Sequence, residues 1–148
     1  MDIEDLLRSL NAHNVELVII GATAFPIHGY ARATLDIDLF IRPEPRNAGR
    51  LLDALRDFGY DIAEITLEDL LTKKVLIRQY LVETDIHPFV TGVTFDQVWE
   101  NRISGTFEKE KVYYASLDDL IIMKEAAGRP KDLEDLKVLK ILKEKRKT

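Results

Sequence analysis

The chain has 148 residues, of which 46% are apolar and 32% charged, with no cysteine and a formal net charge of −5. That is long enough for one domain over residues 1–148 with a real core. The composition excludes a disulfide scaffold and argues against a broadly basic nucleic-acid binder, and no apolar run approaches the roughly 18 residues of a membrane span.

The run Met1-Asp2-Ile3-Glu4-Asp5 is acidic, unlike a signal peptide, so a cytoplasmic protein with no membrane partner is expected. Asp2 to His13 reads as an amphipathic helix, with Ile3, Leu6, Leu7 and Leu10 on one face and Asp2 as its cap. Val15 to Ile20 is a buried strand. Gly21 allows a tight turn into a short helix that Pro26 keeps short. Leu35 to Ile41 is a second strand, ended by Pro43 and Pro45. Pro45 opens a helix with Leu51, Leu52, Leu55 and Phe58 as its stripe, and Gly59 stops it.

Tyr60 to Ile65 reads as a third strand, and Thr66 to Asp69 as a capping box for a short helix. Lys74 to Val90 carries two strands, with Pro88 marking an edge. Thr94 to Gln97 is another capping box, and Thr106 to Tyr114 a strand or hairpin. Ser116 caps a helix that Gly128 ends. Pro130 starts the last helix, striped by Leu133, Leu136, Leu139, Ile141 and Leu142. The class is α+β with a mixed sheet.

The chemistry sits on the second strand, Leu35-Asp36-Ile37-Asp38-Leu39-Phe40-Ile41. Side chains alternate along a strand, so Asp36 and Asp38 share a face while Ile37, Leu39 and Ile41 point inward. Two like charges side by side repel, and a hard divalent cation is the economical reason to keep them. A solvated strand face gives the same alternation. Asp85, in Glu83-Thr84-Asp85-Ile86-His87, is a third carboxylate of the same kind. Three convergent carboxylates would make a two-metal site for in-line displacement at phosphorus. His87 shares the face of Asp85, and His28 reads as a brace for its loop.

These residues together resemble the DNA polymerase β-like nucleotidyltransferase superfamily, and more narrowly its small prokaryotic members related to abortive-infection toxin nucleotidyltransferases. The resemblance rests on a strand followed by Gly-x-x-Ala from Gly21, then His28-Gly29-x-x-Arg32-x-Thr34 and Asp36-x-Asp38. It continues through Thr84 to Pro88, Ile121 to Lys124, and Arg129 to Leu136. It implies a nucleotidyltransferase fold, with a twisted mixed sheet flanked by helices and C-terminal helices closing a cleft. Asp36, Asp38 and Asp85 would be the catalytic, metal-holding carboxylates for two Mg²⁺ (or Mn²⁺) ions. Gly21 and Ala22 would let the backbone approach a triphosphate. Arg32 and Thr34 would contact phosphate or brace the loop, with Lys124, Arg129 and Lys131 binding nucleotide from the other side. Asp132 would help shape that side, unless Lys131, Asp132 and Asp135 simply form an exposed face. Ala22 departs from the superfamily's usual Gly-Gly or Gly-Ser.

The implied activity moves a nucleoside monophosphate from an NTP to a tRNA, protein or small-molecule acceptor. The alternatives are a catalytically inactive nucleotide- or partner-binding module, such as one half of a toxin–antitoxin pair, and a metal-dependent phosphohydrolase. A homo-oligomer or an antitoxin partner is compatible with either binding or catalysis.

Overall fold

A computed structural model describes residues 2–32 and 34–147. One mixed sheet of six strands runs through them, in the order β3-β4-β2-β1-β6-β5. The strands are β1 (Leu17–Ile20), β2 (Asp36–Ile41), β3 (Val75–Ile77), β4 (Glu83–His87), β5 (Ile103–Phe107) and β6 (Glu110–Tyr114). β1 is antiparallel to β2, while β2 runs parallel to β4 and β1 parallel to β6.

The helices are α1 (Ile3–Ala12), α2 (Pro45–Phe58), α3 (Leu67–Thr72), α4 (Phe95–Glu100), α5 (Leu117–Ala127) and α6 (Leu133–Arg146). Their starts follow the capping chemistry of the sequence. Asp2 and Thr66 form reciprocal capping boxes, and Ser116 accepts from the Asp119 amide. At α4 the box is half made: Thr94 accepts from the Gln97 amide, but the Gln97 side chain donates to buried Asp119 (3.0 Å) instead. α2 ends at Gly59, whose φ of 114° is a left-handed cap that only glycine takes without strain.

Leu6, Leu7 and Leu10 of α1 and Leu51, Ala54 and Leu55 of α2 join Ile37, Leu39 and Ile41 in one core. Ser9 Oγ donates to the Ala54 carbonyl (2.7 Å), fixing α1 along α2. The opposite side of β2 carries Phe40, which meets Phe95 of α4 edge-on at 5.3 Å.

Three expectations are corrected. Tyr60 to Ile65 forms no strand. Tyr60 is instead a plug, with its hydroxyl 2.8 Å from Thr84 Oγ1. The backbone there is satisfied by side chains: Asp61 accepts from the Ala63 amide, and Gln79 brackets both polar groups of Asp61. Pro88 marks no edge, because it only terminates β4, which lies between β3 and β2. The apolar stripe of α6 is narrower than expected: Leu139 is buried, but Leu133 and Ile141 are exposed. The inward face of that helix carries Asp135, Leu136, Leu139 and Leu142, with a buried carboxylate at its head, and Arg146 reaches His28 from the other end.

Candidate active site

The parallel register of β2 and β4 sets Asp36 beside Glu83 and Asp38 beside Asp85. Four carboxylates therefore share one face of two central strands. At the outer pair, hydrogen bonding to Asp36, together with its charge, pushes the Glu83 carboxyl above its ordinary value. At the inner pair His87 Nε2 lies 2.9 Å from Asp38 Oδ1. Arg78 Nη1 lies 2.8 Å from Asp85 Oδ1 and Lys74 Nζ 3.9 Å from Oδ2. The Arg78 contact is one of charge only. Asp85 Oδ1 is buried and accepts no hydrogen bond.

Gly21 turns the chain at the end of β1 into two short 3₁₀ turns, Gly21–Ala24 and Pro26–His28. Its φ is +71°, and a Cβ placed on it would come within 2.5 Å of Asp38 Oδ2. The glycine is thus required twice, by its backbone and by the carboxylate beside it. Ala22 carries no such demand; it is absent from the positive-φ positions and packs half-buried against the core. Thr23 Oγ1 donates to the Asp36 carbonyl (2.8 Å), and Thr34 Oγ1 accepts from the Asp36 amide (3.0 Å). Both hold the start of β2.

Opposite these strands stand α5, the Pro130–Asp132 turn and α6. Lys124 Nζ is 3.0 Å from Asp132 and 3.4 Å from Asp135. Arg129 Nε is 2.7 Å from Asp132. Asp135 also takes Arg32 and, at 3.1 Å, the Tyr30 hydroxyl. Arg32 and Lys124 both approach the Phe25 ring, at 5.9 and 5.6 Å from its centre. Asp132 and Asp135 are buried, which corrects their reading as an exposed face. Burial opposes their charge, but Arg129 and Lys124 together bring the Asp132 carboxyl down to about 2. Arg32 and Lys124 likewise bring Asp135 below its ordinary value against its burial.

A cleft of about 160 Å³ separates the two sets, walled by Gly21, Asp38, Lys74 and His87 on one side and Lys124 and Arg129 on the other. Ile20, Val90, Leu120 and Met123 complete it. A larger groove of about 460 Å³ lies between α1 and the β5–β6 hairpin. Its lining holds no carboxylate and no histidine, so chemistry favours the smaller cleft.

The expected site residues therefore divide. Gly21, Asp38, Lys124 and Arg129 share the cleft wall, and Asp85 and Asp36 adjoin it along the strands. Arg32 is turned to Asp135, Thr34 to its own loop, and Lys131 is exposed; none of the three lines the cleft. His28 is buried, with Nε2 2.8 Å from the Ala115 carbonyl and Nδ1 3.0 Å from an Arg146 Nη2. Arg146 can only donate, so Nδ1 accepts and Nε2–H donates. The ring is held neutral, and burial lowers its pKa.

Lys74, Arg78 and Glu83 escaped the sequence reading as contributors of contacts here, and Asp132 was expected only through the resemblance. Glu83 had a signal, since it stands two residues before Asp85 and so shares its face. Asp132 had only its spacing of three from Arg129, which surface pairs share.

Among the described residues no three acidic or histidine side chains are gathered closely enough to hold a metal as they stand. The donor set is nevertheless of the hard-oxygen kind that Mg²⁺ takes. Asp38 and Asp85 sit at one register, and the buried Oδ1 of Asp85 is held by the Arg78 charge without an aligned hydrogen bond. Binding would require His87 and Arg78 to yield.

The fold and this cleft define an α+β protein that sets carboxylates on central strands against cations from its last helices. The family model described as "nucleotidyltransferase of unknown function" (DUF6036) matches residues 1–145, and the chain belongs to that family. No curated protein and no solved structure matches the chain.

Proposed function

We propose that the protein transfers a nucleoside monophosphate from an NTP to an acceptor hydroxyl, releasing pyrophosphate, as in the DNA polymerase β-like superfamily. The observation that supports this most is the cleft itself, with Gly21 and Asp38 facing Lys124 and Arg129. Asp36, Asp38 and Asp85 would hold two Mg²⁺ or Mn²⁺ ions, which when bound supply Lewis-acid charge at the reacting phosphate.

The chain's own residues do the rest. Gly21, lacking a side chain, leaves room for the triphosphate next to Asp38. Lys124 and Arg129 neutralise its oxygens. The acceptor oxygen bonds to the α-phosphorus as the bond from that phosphorus to the β-phosphate oxygen breaks. The acceptor's proton passes to a carboxylate of the set.

Incubation with α-³²P-labelled NTPs, Mg²⁺ or Mn²⁺ and cell extract should label one acceptor class: tRNA, protein or small molecule. Pyrophosphate should appear with it. If Asp38→Asn leaves that labelling unchanged, the assignment of the site is wrong.

A second reading has its own support. His87 engages Asp38, and Arg78 and Lys74 approach Asp85, so the carboxylates are matched by local cations. A nucleotide- or partner-binding module without catalysis, such as one member of a toxin–antitoxin pair, would keep them so. Calorimetry separates the two, because NTP binding with no pyrophosphate release selects the module.

A further inference from the structure

The two buried carboxylates of the C-terminal segment have no part in metal binding or proton transfer as set out above, yet each is bonded to two or more side chains. Asp132 contacts both cations on the helix side of the cleft, Lys124 at 3.0 Å and Arg129 at 2.7 Å. Asp135 contacts Lys124 from a second direction at 3.4 Å and gathers Arg32 and Tyr30 behind it. The cations line the cleft and the carboxylates do not. Their side chains are 4% and 9% exposed, against 18% for Lys124 and 54% for Arg129. The order from solvent inward is thus cleft, cation, carboxylate.

We propose that Asp132, assisted by Asp135, is a positioning residue that fixes Lys124 and Arg129 as a preformed seat for the polyphosphate of the substrate. The inference rests on the nucleotidyl-transfer reading and deepens it. Lysine and arginine are long and flexible, and a free pair would lose its rotamer freedom when phosphate binds. A carboxylate behind them takes that loss at folding, so less is charged against binding. It leaves the seat positive as well: Lys124, Arg129 and Arg32 outnumber Asp132 and Asp135.

A carboxylate could instead be imagined as a stand-in for phosphate, to be displaced on binding. The burial order opposes this, since the acids lie behind the cations rather than in the cleft. The two ideas predict opposite effects of removing the charge.

The test uses inorganic tripolyphosphate with Mg²⁺ on the full chain, followed by calorimetry, so that base preference does not enter. Asp132→Asn should weaken binding by about tenfold, the lower end of what partners behind a ligand usually contribute. Asp132→Glu should recover part of the loss. Asp135→Asn, which leaves Arg129 anchored, should cost less, and it serves if Asp132→Asn does not fold. Mn²⁺ binding, read by electron paramagnetic resonance, should stay unchanged in every variant, because Asp36, Asp38 and Asp85 are untouched. Equal binding by the folded Asn variants and the wild type, or tighter binding by the variants, overturns the positioning role alone. No tripolyphosphate binding by the wild type overturns the phosphate cleft itself, and this inference with it.

Discussion

The two walls of the cleft are built on opposite electrostatic plans. On the strand wall Asp36, Asp38, Glu83 and Asp85 stand in a two-by-two array, and the Asp36–Glu83 pair has like charges directly across a strand pair, an arrangement that destabilises. On the helix wall Lys124 and Arg129 each have a buried carboxylate behind them. One wall carries like-charge repulsion at its outer pair, while Arg78 and Lys74 approach its inner carboxylate. The other is satisfied and already shaped. Under the proposed reaction, that asymmetry would let one wall take up cations while the other orients an anion.

The largest expected effect breaks the strand wall. Asp38→Asn should lower nucleotidyl transfer by roughly 10³-fold, the scale lost when a preorganised charge leaves a reacting centre, measured as pyrophosphate release. Gly21→Ala should follow. The left-handed backbone costs a non-glycine residue roughly 1–2 kcal/mol, and the added methyl meets Asp38. A fall of several degrees in Tm together with impaired NTP binding is the expected pair of results.

The helix wall should show itself in acid. The Asp132 carboxyl ordinarily titrates near 3.8 but is held at about 2 in the fold. Its contribution to stability is complete above 3.8 and fades as pH falls toward 2. Acid unfolding of Asp132→Asn, followed by circular dichroism, should therefore lose part of the wild type's steepness in that window. His28 runs the same way at milder pH, because its folded pKa is lowered from 6.5 by burial. The unfolded chain takes up that proton first, so Tm should drop as pH passes below 6.5. His28→Asn should flatten that part of the profile.

The smallest effect sharpens the contrast. Glu83 titrates above its usual value beside Asp36, so its ionised form disfavours the fold at neutral pH. Glu83→Gln should raise Tm slightly at pH 7, and the gain should vanish as pH falls and wild-type Glu83 takes up its proton. A decrease at pH 7 would mean that the strand wall is not strained.

Much of the strand wall could be read from the chain. Asp36 and Asp38 announce their shared face by alternation, and the glycine turn before them by its single unbranched residue. The caps at Asp2, Thr66 and Ser116 were equally plain, because the hydrogen bonds they make are local. The burial of the helix wall's carboxylates was hidden for the opposite reason. Asp132 and Asp135 are buried by packing between α5 and α6 and by partners as distant in sequence as Arg32, and nothing in Lys131-Asp132-Leu133-Glu134-Asp135 separates that from a solvated face. Tyr60 to Ile65 misled similarly: its apolar residues plug the core from a loop, and the hydrogen bonds that make this possible come from Gln79.

The link through His28 bears on how the molecule is made. Its ring joins the first turn of the site to Ala115, 87 positions on, and to Arg146, 118 positions on. Contacts so far apart form slowly, and synthesis delivers the strand wall before the helix wall exists. A chain still leaving the ribosome carries the crowded carboxylates before Asp132 and Asp135 are in place behind Lys124. His28 gains its Arg146 partner only once α6 is made.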